Sequence, residues 1–154
     1  MNTALERLAA DVGLGHPENE GLRLAYGHLC VSRIEHLLEE AEVIECLQVF
    51  GDFLGGKVES STFKRAQQEA ERLANQHRGS KSIDGCGHAA VSASYAVAKA
   101  INGKAIEAAS YAAYALVYAD GGYGAVANRE AFEPLFAWQV NALSALMSTA
   151  NSNE

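Results

Sequence analysis

The stretch HAAVSASYAVAKAINGKAIEAASYAAYALVYA, residues 88–119, decides the fold. Thirteen of its residues are alanine, the strongest helix former. Asn102-Gly103 interrupts it near the middle, a turn signal between two helical runs. Ser92-Ala93-Ser94-Tyr95-Ala96 is echoed sixteen residues on by Ala108-Ala109-Ser110-Tyr111-Ala112. The reading is two helices folded back on each other at Asn102-Gly103. Their small side chains let the axes approach near the lower end of the usual ~8–10 Å range. The echo is a weak internal repeat, too short for a solenoid.

Upstream, Gln76 to Asp84 is polar, contains Gly79 and reads as a loop. Before it, Phe63, Ala66, Ala70, Leu73 and Ala74 form one apolar edge of a helix from Phe63 to about His77, with Ser60, Ser61 and Thr62 as N-cap candidates. Residues 22–54 hold two apolar sets at helical spacing. The first runs from Leu22 to Leu38, the second from Val43 to Leu54. No Gly or Pro separates Ser32 from Phe50, so one long helix and two helices both fit. Two are favoured, with a break at Glu39–Ala41, because one helix would be unusually long. Gly55-Gly56 closes the stretch. At the start, Leu5, Leu8, Ala9 and Val12 share a face of a helix over Thr3–Val12, with Thr3 as N-cap and Glu6 three positions on. Gly13-Leu14-Gly15-His16-Pro17 breaks it, and Asn19 or Glu20 starts the next.

Downstream, Asp120-Gly121-Gly122-Tyr123-Gly124 is a loop. A last helix begins at Asn128 or at Glu133, with Pro134 as an early residue. No segment alternates at period 2 long enough to demand a strand. The expectation is an all-α fold, a single domain over 1–154. It is a bundle or array of six to seven helices around an alanine-rich hairpin, with a frayed tail over 150–154.

Composition narrows the function. Hydrophobic residues make up 49% of the 154 and charged residues 20%, enough for a real core. Twelve Lys and Arg oppose 19 Asp and Glu, a net charge of -7. That disfavours nucleic acid and anionic membrane as partners, since both are held by positive charge. No apolar run of about 18 residues is present to span a bilayer. Met1 to Val12 carries Glu6, Arg7 and Asp11 and lacks a signal-peptide core. Three cysteines, odd and sparse, point to a reducing compartment and a cytoplasmic protein.

Catalytic and metal signals are weak. His28, Cys30, Cys46, Cys86 and His88 are enough groups for zinc. However, there is no C-x2-C, and residues two apart point to different sides of a helix. Buried cysteines acting as small hydrophobes explain them more simply. Asp84, Cys86 and His88 invite a nucleophile reading, but Asp84 reads better as an N-cap. The chain has no Glu-x-x-His, no HExxH and no glycine-rich phosphate motif, and Gly121-Gly122-Tyr123-Gly124 follows a helix rather than a strand. No catalytic residue, metal or cofactor is expected.

Two surface features carry more. Glu35, Glu39, Glu40, Glu42 and Glu45 form an acidic run without an intervening cation. On one helix Glu35, Glu39 and Glu42 would share a face. Such a face either keeps the protein soluble or meets a basic partner. Tyr111, Tyr114 and Tyr118 recur at three and four, with Tyr95 on the neighbouring helix. Tyrosine suits interfaces because it joins an apolar body to a polar tip, and equally suits the edge of a core.

The chain resembles the all-helical immunity proteins that accompany bacterial polymorphic toxins. The resemblance rests on Leu24-Ala25-Tyr26 through Cys30, Arg33-Ile34-Glu35-His36-Leu37, and Cys46 to Phe53 ending at Gly55-Gly56. It continues through the Lys64–Ala74 helix, Gly87-His88-Ala89-Ala90 to Tyr95-Ala96, and Ala109-Ser110-Tyr111-Ala112, about residues 22–119 in all. It implies a bacterial, cytosolic, non-enzymatic protein that occludes a cognate toxin. The residues expected to bind a basic partner or toxin are Glu35, Glu39, Glu42, Tyr111, Tyr114 and Tyr118. The alternative is a small enzyme or metal protein using Cys86 with His88 and Cys30 with His28. Self-association through the tyrosine face is a third reading, giving a homo-oligomer.

Overall fold

Asn2 opens the first helix: its side chain accepts a hydrogen bond from the Leu5 amide at 3.2 Å. The cap is therefore one residue earlier than the expected Thr3, which lies inside α1 (Thr3–Val12). The structure, a computed structural model, describes residues 1–76 and 86–152. Within them lie six further α-helices: α2 (Glu20–Ser32), α3 (Ala41–Leu54), α4 (Ser60–Gln76), α5 (Cys86–Ile101), α6 (Ala105–Gly121) and α7 (Arg129–Ser152). There is no strand among the described residues. No helix among them is long and apolar enough to cross a membrane. The loop expected over Gln76–Asp84, with the Asp84 cap, lies almost wholly outside the described residues.

Residues 22–54 form two helices, but the break is wider than expected. The helix predicted to reach Leu38 stops at Ser32, and a 3-10 turn over Glu35–Leu37 precedes α3. Ile34 and Leu38, at the two ends of this turn, are both buried in the core. Ser60, Ser61 and Thr62 lie in the first turn of α4 rather than ahead of it. α7 takes the earlier of its two expected starts, where the Asn128 side chain accepts a hydrogen bond from the Glu130 amide at 3.0 Å.

Helices α3 to α7 pack in chain order, each against the next, around α2. From Leu22 to Val31 no residue of α2 is exposed. Its two faces serve two cores. Leu24 and Val31 join Phe50, Phe63, Leu73, Val97 and Ile101 in the larger one. Tyr26 and Cys30 join Leu5, Leu14 and Leu143 in the smaller one, between α1, α6 and α7. Full burial of a side chain such as Phe50 stabilises by about 1.5–3 kcal/mol. The Tyr26 hydroxyl donates to the Gln139 carbonyl at 2.9 Å, and the Gln139 amide donates to Ala109 at 2.8 Å. These bonds tie α2 to α7 and α7 to α6.

The alanine-rich hairpin forms as the sequence predicts. α5 and α6 are joined through Asn102-Gly103-Lys104, and Gly103 takes a φ of 80°, a conformation that a side chain would strain. The Asn102 amide nitrogen donates to the carbonyls of Ala98 and Gln67, while Gln67 donates back to Ile101. This clasp fixes the turn to α4. Across the hairpin Ala93, Ala96, Ala100, Ala108 and Ala112 are buried. At the α2–α5 crossing a Cβ on Gly27 would stand 3.1 Å from the Ala100 Cβ, tight enough that α5 would have to give by a few tenths of an ångström.

Candidate functional site

The outward face of this row of helices carries the polar side chains. Between α3 and α4 lies an open groove of about 470 Å³. Its floor is Cys46, Val49 and Ala66, and its rim is Glu42, Glu45, Glu69 and Arg65. Three carboxylates against one lining cation make it acidic. The local reason is helical spacing: Glu42 and Glu45 sit on the outer side of α3 while Val43, Cys46, Leu47 and Phe50 turn inward. Arg72 stands at one end, paired closely with Glu69 and 3.8 Å from Glu42. That pairing draws the Glu69 carboxyl below its usual range. Burial pushes the Cys46 thiol up to about 11, and the charges of Glu69, Glu45 and Glu42 add to the effect.

The expected face of Glu35, Glu39 and Glu42 does not exist as one helical surface. Glu35 is in the 3-10 turn, Glu39 in the connection and Glu42 in α3, because α2 ends at Ser32. All three are exposed. Of them, Glu42 lines the groove. Glu69, Arg65 and Arg72 were missed by sequence reasoning. Glu69 and Arg72 are three apart on the wet side of α4, but only the packing of α4 on α3 places them opposite Glu42.

The tyrosines form a seam rather than a bare stripe. Tyr111 stacks on Tyr95 of α5 at 5.4 Å between ring centres, and Tyr118 stacks on His88 at 5.2 Å. Lys99 meets Glu107 at 3.1 Å. These pairs stand four, eight and fifteen residues on either side of Gly103, so the hairpin register is symmetric about its turn. Tyr114 instead packs edge-on against Phe132 at 5.2 Å. It is 38% exposed, while Tyr111 and Tyr118 are half-buried. The seam and the acidic groove flank different edges of the α4–α5 pair.

The cysteine and histidine groups do not converge. His28 turns its ring edge to Phe50 at 5.0 Å, at the larger core. Cys30 faces the smaller one and is buried, which pushes its thiol up to about 11, against the opposing pull of Tyr26 and Arg33. Neither Cys30 nor Cys46 is a thiolate near neutral pH, so neither is poised as a nucleophile. The Cys86 side chain lies outside the described residues. Among the described residues no group of three or more His, Cys, Asp or Glu is arranged to hold a metal ion.

Comparison with protein families, with curated proteins and with solved structures gives no match to this chain.

Proposed function

We propose that this protein is a non-enzymatic helical binding module that docks a basic partner protein, in the manner of an immunity protein occluding a cognate toxin. The observation that carries the reading is the α3–α4 groove, with its apolar floor at Val49 and Ala66 and its rim at Glu42, Glu45 and Glu69, three carboxylates against Arg65 and the Arg72 that pairs with Glu69 and Glu42. A lysine or arginine stem packs on such a floor while its charged head meets the carboxylates. The net charge of -7 speeds encounter with a basic surface. Tyr114, exposed on the far edge of the hairpin, adds an aromatic contact of the kind that anchors interfaces.

The test is capture from an extract of the source cell on the immobilised protein, eluted along a salt gradient. A single basic protein released as salt rises supports the reading, because exposed charge pairs weaken as ions screen them. Capture that is indifferent to salt, or no capture at all, returns the glutamates to a solvated face.

A further inference from the structure

We propose that Arg72 is a built-in competitor for the α3–α4 groove, an internal guanidinium that an arginine of the basic partner displaces; this deepens the binding reading above and rests on it. Arg72 projects from α4 and clasps Glu69 one turn back. Its Nε donates to Glu69 Oε2 at 3.0 Å and its Nη2 to Oε1, the two parallel bonds of a planar fork on a carboxylate. Its Nη1 donates to the Gln76 side chain at 2.8 Å, and its Nη2 lies 3.8 Å from Glu42 on the facing helix. Carboxylates from both walls of the groove therefore already hold a guanidinium, supplied by the chain itself.

This occupant is replaceable. Arg72, Glu42 and Gln76 are exposed and Glu69 is half-buried, so the clasp stands in water and salt and holds weakly. The packing face of α4 is Ala66, Ala70, Leu73 and Ala74. Arg72 is not part of that face, and its departure removes no core contact. Nor does Arg72 saturate the rim. At 3.8 Å Glu42 is near the cation but beyond hydrogen-bond reach, and Glu45 makes no ion pair among the described residues. A second cation therefore finds carboxylates within reach, while Arg72 takes part of their charge. An arginine is favoured over a lysine because its fork can rebuild both parallel bonds on Glu69, which a single ammonium cannot. Its stem would lie on Val49 and Ala66.

The experiment titrates tetra-arginine amide, and tetralysine amide as its equal in charge, into three full-length proteins at low salt: wild type, Arg72→Met and Arg129→Met. Binding is followed by amide NMR shifts at Cys46, Val49, Ala66 and Glu69. Arg129 is exposed on α7 and does not line the groove, so its loss changes the net charge equally without touching the site. Arg72→Met is expected to bind tetra-arginine about threefold more tightly than wild type, the scale of one exposed charge pair, and Arg129→Met to bind it no more tightly. Arg72→Met is also expected to prefer tetra-arginine to tetralysine. Without any peptide, its Glu69 carboxyl, held below the usual range by Arg72 in the wild type, is expected to titrate in the ordinary carboxylate range. Equal affinity of wild type and Arg72→Met, equal tightening in Arg129→Met, no preference for arginine, or an unmoved Glu69 titration overturns the competitor and leaves the groove reading standing. Groove shifts absent from all three proteins overturn both.

Discussion

The α5–α6 hairpin and the α3–α4 pair solve the same packing problem in opposite ways. In the hairpin, and where it crosses α2, the contact is made by alanines and Gly27, and the backbones come close. Between α3 and α4 it is made by rings. Phe53 stacks on Phe63 at 3.9 Å, and Phe50 lies 5.8 Å from Phe63. Small contacts close the helices together and leave little room for an added atom. Outside the rings lies the groove, floored by Cys46, Val49 and Ala66 and rimmed by Glu42, Glu45, Glu69 and Arg65. The same fold thus has a region that fails when atoms are added and a region that fails when they are removed.

Removing atoms gives the largest effect. Phe63→Ala empties the ring cluster between α3 and α4 and is expected to cost about 3–5 kcal/mol, read as a lower urea midpoint. A loss below about 1 kcal/mol would mean that the rings do not support the pair. Adding atoms comes next: Gly27→Leu drives a side chain into Ala100, with an expected cost of about 1–3 kcal/mol even though glycine is the poorer helix former. An unchanged midpoint would show that α2 and α5 are not in close approach. Tyr26→Phe is milder, near 1 kcal/mol, because one buried hydrogen bond to Gln139 is lost while the ring stays. Full stability in that variant would remove the link from α2 to α7.

A pH effect sharpens the contrast at the seam between the two regions. Burial lowers the affinity of His28 for a proton, with Glu35 opposing that shift. The unfolded chain then takes up a proton at a pH where the folded chain resists it. Stability is complete above the ordinary histidine range of about 6.5 and declines as the pH falls through it. His28→Gln is expected to flatten the difference in urea midpoint between pH 7.5 and pH 5. An unaltered slope would assign the effect to another group.

Much of this was legible in the sequence, and the reasons differ by element. Alanine content and Asn102-Gly103 act locally, so the hairpin and its turn could be read directly. α1 matched its predicted span for the same reason. The end of α2 could not be read, since Ile34, Leu37 and Leu38 keep helical spacing whether or not the chain turns at Ser32. No Gly or Pro marks the turn, and with it the shared face of Glu35, Glu39 and Glu42 is lost. Glu69 was hidden because the groove joins two helices whose alignment no local signal records. The tyrosine spacing was visible, whereas the division of its members between Tyr95, His88 and Phe132 depends on which helices lie alongside.

The most direct measurement sets the wild-type protein beside Glu42→Lys/Glu45→Lys, comparing salt-gradient capture of a basic partner with urea midpoints. Both positions are exposed, so stability is expected to move by no more than about 0.5 kcal/mol. The variant is expected to keep its fold and lose the partner. A folded variant that retains the same protein at the same salt would contradict it.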